Sequence, residues 1–165
     1  MKKLIYLLFA LCPMLAHAQT KKECAELLQA EQHVAANIKM YTETWDKIFN
    51  QRDIDQVNEK NFAADVILLN QKEKIRAQGI EGFKKSFNYY LTTFSDIKFT
   101  FIDVWGHGDK LVKHWNFKGT HTATGKPMDL SGVTLVKMKD GKIIEEQDFD
   151  DNLWYNQQLG QYLVK

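Results

Sequence analysis

Three aspartates, Asp148, Asp150 and Asp151, close an otherwise strand-like run near the C-terminus of this chain. A carboxyl group held against apolar walls loses hydration, and its pKa rises toward the range where it can both accept and donate a proton. Such a group can remove a proton next to a carbonyl without help from a metal or coenzyme. Strand alternation places Asp151 with Phe149 and Gln147 on the odd-numbered face of 142–151, and Asp150, Asp148 and Glu146 on the even face. The pairing with Phe149 makes Asp151 the candidate acid–base. The same residue also precedes a helix that starts near Asn152, where aspartate is a good cap. Both roles stay open at this point and are compatible. His121 is the second candidate. It shares a strand face with Trp115 and Phe117, where an imidazole could donate a hydrogen bond or relay a proton. Its place beside a turn also suits a purely structural role. A pocket on these faces is expected to be lined by Trp45, Tyr90, Trp115, Phe117, Gln147 and Phe149.

Other chemistries find no support in the spacing. Alternation sends His114 and His121 to opposite faces, and no H-x-H or H-E-x-x-H pattern occurs, so no metal site is expected. There is no G-x-G-x-x-G, P-loop or G-x-S-x-G elbow, so no cofactor is expected either. The glycines flanking His107 fit a hairpin better than a phosphate cradle.

Helices must hold one wall of such a pocket. Val34, Ile38, Tyr41, Trp45, Ile48 and Phe49 recur at helical spacing and predict a long amphipathic helix from about residue 30 to Asn50. Asp53 can cap a short second helix to about Asn61. Gly79 to Phe94 reads as a third, with Phe83, Phe87, Tyr90, Leu91 and Phe94 on one side. Between them, Ala64–Leu69 reads as a strand and Lys74–Ala77 as a short edge strand. The rest is a meander: a strand through Ile97, Phe99 and Phe101, a Gly106–Asp109 hairpin, Leu111–His121, Met128–Met138, an Asp140-Gly141 hairpin, and Lys142–Asp151. Helices first and a meander afterwards give an α+β domain, with helices on one face of a curved antiparallel sheet.

The N-terminus carries Lys2 and Lys3, an apolar stretch from Leu4 to Leu15 that is short for a membrane span, and Ala16-His17-Ala18. This pattern predicts a signal peptide over 1–18, cleavage after Ala18, and a secreted or periplasmic domain of residues 19–165. Loss of Lys2 and Lys3 leaves 20 basic and 21 acidic residues, a formal charge of −1. With no basic surplus, nucleic acid is not an expected partner. Cys24 would be the one cysteine left, so stability must come from the core rather than from an internal disulfide.

Gly119-Thr120-His121, Asp140-Gly141-Lys142-Ile143, and Asp151 followed by Gln158-Leu159-Gly160, in this order of elements, resemble the SnoaL-like polyketide cyclases of the nuclear-transport-factor-2-like superfamily. The resemblance spans roughly Val34 to Gly160. It implies a cone-shaped α+β barrel open at one end. It also implies that Asp151 matches the family's acid–base aspartate, which serves an intramolecular aldol ring closure. Two positions depart from the pattern. Val136 and Lys137 stand near the place of a partner histidine, and Gln147 replaces an aromatic residue of the last strand. Pairing of relatives through the convex sheet face makes a homodimer plausible, with Val112 and His114 on that face. The reading is thus a secreted protein that holds a small, largely apolar ligand in a cone cavity. It would act as a cofactor-independent cyclase, isomerase or lyase, or alternatively as a non-catalytic binding module of the same fold.

Overall fold

The computed structural model describes the backbone of residues 2–161 and the side chains of residues 20–161. The signal peptide expected over 1–18, and its cleavage site, lie outside the residues whose side chains are described. Among the described residues, no helix is long and apolar enough to cross a membrane.

Helix α1 (Lys2–Asn50) starts well before the predicted residue 30. Its C-terminal half does what the periodicity requires: Tyr41, Trp45, Ile48 and Phe49 are all buried. The helix end is pinned to the sheet by Asn50. Its amide donates to the Phe99 carbonyl (2.9 Å) and its Oδ1 accepts from the Phe99 N–H (2.8 Å). This clamp sets the Phe49 and Phe99 rings in a stack, 4.8 Å between centroids. The short helix expected after Asp53 shrinks to one 3-10 turn, Ile54–Gln56, with Asp53 as its cap. Helix α2 (Gly79–Thr93) buries Phe83, Phe87 and Leu91 against the same core. A third helix, α3 (Asn152–Gln158), follows the last strand.

Six strands form one mixed, mostly antiparallel sheet: β1 (Phe62–Leu69), β2 (Ile75–Gln78), β3 (Phe94–His107), β4 (Lys110–His121), β5 (Pro127–Lys139) and β6 (Lys142–Asp150). Their order is β2-β1-β6-β5-β4-β3, with β1 parallel to β6 and every other pair antiparallel. The sheet does not close, because β2 and β3 remain edges. Asp140 and Gly141 both adopt positive φ (51° and 72°), the mirror-image turn that keeps the strand twist and that glycine makes cheap. The α1 and α2 aromatics pack into the sheet's concave side and form one core cluster with Phe62, Phe94, Phe99, Trp115, Phe117 and Ile143.

One irregularity decides which residues of β6 face that core. Lys137 pairs with Glu145, but the next residue, Met138, pairs with Ile143. Ile144 is therefore the extra residue of a β-bulge, and a bulge exchanges the two faces of a strand beyond it. Ile143 is buried before the bulge; Glu146, Asp148 and Asp150 turn inward after it.

Candidate functional site

A cavity opens between the concave sheet and the two long helices. It holds about 50 Å³, room for about four water molecules. Its apolar walls come from Phe49 of α1, Phe87 of α2, Phe99 of β3, and Trp115 and Phe117 of β4. Its polar groups are Arg76 of β2, Tyr90 of α2, Lys113 of β4, Asp148 and Asp150 of β6, and Tyr155 of α3. The cavity is thus aromatic on one side and ionisable on the other, the composition of a small-molecule site.

Sheet register explains the polar wall. Lys113, Thr134 and Asp148 lie side by side across β4, β5 and β6, and Trp115, Gly132 and Asp150 form the next inward row. Thr134 accepts from the Trp115 indole (2.9 Å) and donates to Asp148 Oδ1 (2.7 Å). The Arg76 guanidinium stands 3.8 Å from Asp148 Oδ2 and 3.5 Å from the Tyr90 hydroxyl. Burial is the largest influence on Asp150 and pushes its pKa up. Repulsion from Asp148 adds to that, and Arg76 acts against it. Burial likewise raises Tyr155 and Tyr90, with Arg76 opposing the shift of Tyr90. Gly132 makes room for this row: a Cβ there would sit 2.4 Å from Trp115 Cζ2.

A second ionisable group lies deeper. Glu146 is fully buried, and one of its oxygens accepts from both the Tyr41 hydroxyl (2.5 Å) and the Trp45 indole (3.0 Å). Its other oxygen has no hydrogen-bond partner among the described residues. Desolvation raises its pKa to about 7, against the lowering influence of Lys113. The Lys113 ammonium rests over the rings of Trp45 (4.7 Å), Tyr41 (5.3 Å) and Phe99 (5.5 Å).

The structure brings together only part of the set expected from the sequence. Tyr90, Trp115 and Phe117 line the cavity. Trp45 does not: it is fully buried behind the wall, packed on Phe49, Phe62 and Phe87 and bound to Glu146. Gln147 and Phe149 also fall outside, because the bulge at Ile144 turns them to the other face. Gln147 donates to the Asn70 carbonyl, and Phe149 is 38% exposed. Asp151 also lies off the cavity wall, for a related reason. Beyond the bulge the even residues point inward, and Asp151 is exposed, its carboxylate accepting from the Trp154 N–H (2.9 Å) as the cap of α3. His121 is held at the β4–β5 turn by Thr124 Oγ1 (2.8 Å), with its ring edge on Phe94, and lies away from the cavity wall.

Lys113, Arg76, Asp148, Asp150 and Glu146 are the residues that sequence reading missed. Lys113 was legible, since it lies on the same odd face as Trp115 and Phe117. The β6 carboxylates were hidden by the bulge. Among the described residues, no group of three or more His, Cys, Asp and Glu is placed to hold a metal ion.

The C-terminal helix contributes Tyr155 to the cavity wall. Gln158 donates to the Asp129 carbonyl (3.0 Å) and accepts from the Asp129 N–H (2.7 Å), and Lys126 donates to the Leu159 carbonyl (3.0 Å). These bonds hold α3 on β5, with Tyr155 at the cavity and against Phe94. The Gln158-Leu159-Gly160 run therefore ties α3 to the start of β5.

The comparisons agree with this architecture. No curated protein matches the chain. Among solved structures, TsrD from Streptomyces laurentii superposes with a TM-score of 0.68 at 22% identity, over 77% of this chain and 97% of TsrD. A Bacillus cereus ATCC 10987 protein assigned as a polyketide cyclase gives 0.66 at 23% identity, over 80% and 85%. A protein of ketosteroid isomerase-like fold from Catenulispora acidiphila DSM 44928, in complex with trimethylamine, gives 0.63 at 16%, over 73% and 92%. At these identities the likeness concerns the fold. The SnoaL-like polyketide cyclase model matches residues 29–159, nearly the whole of the described domain, and the chain therefore belongs to the SnoaL-like polyketide cyclase family.

Proposed function

We propose that this protein binds a small, mainly aromatic or apolar carbonyl compound in its cavity and transfers a proton at the carbon next to the carbonyl, with Asp150 as acid–base. The observation that carries this reading is the position of Asp150: on the cavity wall, opposite an aromatic lining, with a pKa raised by burial and by Asp148. A carboxyl tuned upward can take a proton from carbon and return it, the step shared by isomerisation, ring closure by aldol addition, and the reverse cleavage. Arg76 and the Thr134 hydroxyl hold Asp148. That leaves Asp150 as the carboxylate with the weaker set of donors and hence the better base.

The family match supports a cyclase-like reaction, and the fold by itself hosts many others. Deuterium incorporation at the α-carbon of phenylacetone in D2O tests the reading directly. Acceleration by the wild-type protein that is lost in Asp150→Asn supports it. Binding of the ketone with no exchange above the buffer rate would leave a non-catalytic binding module, the second reading.

Export belongs to the same proposal. The basic start, the apolar stretch and Ala16-His17-Ala18 support a leader removed after Ala18. The mass of the protein recovered from the periplasm or medium should then correspond to a chain that begins at Gln19.

A further inference from the structure

We propose that the ligand carries an anionic oxygen, as a carboxylate or an enolate, and that Lys113 is the group that receives it, with Glu146 taking up a proton as the anion binds. This rests on the reading of the cavity as the ligand site. Lys113 is only 4% exposed and lines that cavity, yet its ammonium makes no hydrogen bond or ion pair among the described residues. A lysine ammonium carries three donors, and burying it without acceptors is costly. The faces of Trp45, Tyr41 and Phe99 return part of that cost through cation–π attraction. They offer no acceptor lone pair, so the donors remain free for a ligand oxygen. The other ionic groups on the wall are already engaged or negative: Arg76 faces Asp148, and Asp148 also accepts from Thr134.

Glu146 supplies the second half. It is faced by Tyr41 and Trp45 from α1, by Lys113 from β4 and by Asp148 on its own strand, while its register neighbours Leu68 and Val136 are apolar. Lys113 is thus the one cation among the groups facing it. An anion seated on Lys113 offsets the charge that keeps Glu146 ionised, and the carboxyl then takes up a proton, which keeps the buried charge constant. Its pKa of about 7 puts that uptake within ordinary buffer range.

Benzoate and its neutral isostere benzamide are suitable probes, titrated against the wild-type protein with the Trp115 and Leu130 NMR signals as reporters of the cavity. Benzoate should bind at least tenfold more tightly than benzamide, and Lys113→Met should bring the two affinities to within about twofold of each other. Calorimetry of wild-type protein with benzoate at pH 7.5, in two buffers of different ionisation enthalpy, should show net proton uptake that benzamide does not cause. This measurement needs no variant and stands even if Lys113→Met fails to fold. Equal affinities, a preference that survives Lys113→Met, or benzoate binding without proton uptake would overturn the inference and leave the cavity reading intact. If neither probe moves the cavity signals, the cavity reading falls and takes this one with it.

Discussion

Ile143 and Glu146 are three residues apart on one strand, yet both side chains are fully buried on the same face of the sheet. The bulge at Ile144 makes this possible, and it delivers Asp148 and Asp150 rather than Asp151 to the cavity.

The first prediction follows from that register. In the α-carbon exchange assay, Asp150→Asn should cost at least about a hundredfold, the usual scale of general acid–base catalysis. Asp151→Asn should leave the rate unchanged, because asparagine caps α3 nearly as well. Asp151→Ala should lower stability by about 1 kcal/mol through loss of the cap, with little effect on rate. A large rate loss in Asp151→Asn would reverse the assignment.

Glu146 makes stability depend on pH. Its folded pKa, about 7, lies above the ordinary value of 4.5, so the native state holds this proton where the unfolded chain has released it. Stability from this group is therefore full below about pH 4.5, falls as pH rises toward 7, and is flat beyond. The total is roughly 3 kcal/mol. Urea unfolding at pH 5 and pH 8 should show the wild type more stable at pH 5. In Glu146→Gln the difference should shrink to the smaller contribution of Asp150, whose raised pKa has the same sign. An unchanged difference in Glu146→Gln would show that another group carries it.

Gly132 is a packing requirement of the site. An alanine Cβ would meet Trp115 Cζ2 at 2.4 Å and the Phe149 carbonyl oxygen at 2.8 Å. Gly132→Ala should cost about 1–3 kcal/mol as an overpacking change. It should also push the indole off Thr134 toward the cavity. A denaturation midpoint equal to wild type, with unchanged tryptophan fluorescence, would contradict this.

The outer face of the sheet leads to a prediction about assembly. Trp105, Val112 and Leu135 are register partners across β3, β4 and β5, with Trp105 59% and Leu135 43% exposed. A contiguous apolar row of this kind suits burial against a second copy of the chain. Light scattering at micromolar concentration should give a dimer mass, and Trp105→Lys should give a monomer. A monomeric wild-type chain would reject the pairing.

Several elements were legible in the sequence because local chemistry alone specifies them. The aromatic periodicity of 34–49 gives the buried face of α1, the Asp140-Gly141 pair gives the β5–β6 turn, and alternation over 111–117 puts Trp115 and Phe117 inward. The cap role of Asp151 was also visible as one of its two alternatives, since a cap needs only the residues that follow it. The second helix was over-read from Asp53, which caps no more than a 3-10 turn.

What the sequence determined, then, is the family, the order of elements and an aromatic pocket wall. Which carboxylates meet that wall was decided only by tertiary structure. Alternation is a local rule and holds until one residue is left unpaired, and whether β6 bulges at Ile144 depends on its pairing with β5 and β1. The charge state of the site is likewise a property of the fold. Glu146 and Lys113 are ordinary surface-type residues in the chain. They become a buried acid and a buried cation only where α1 lays Tyr41 and Trp45 across them and removes the water.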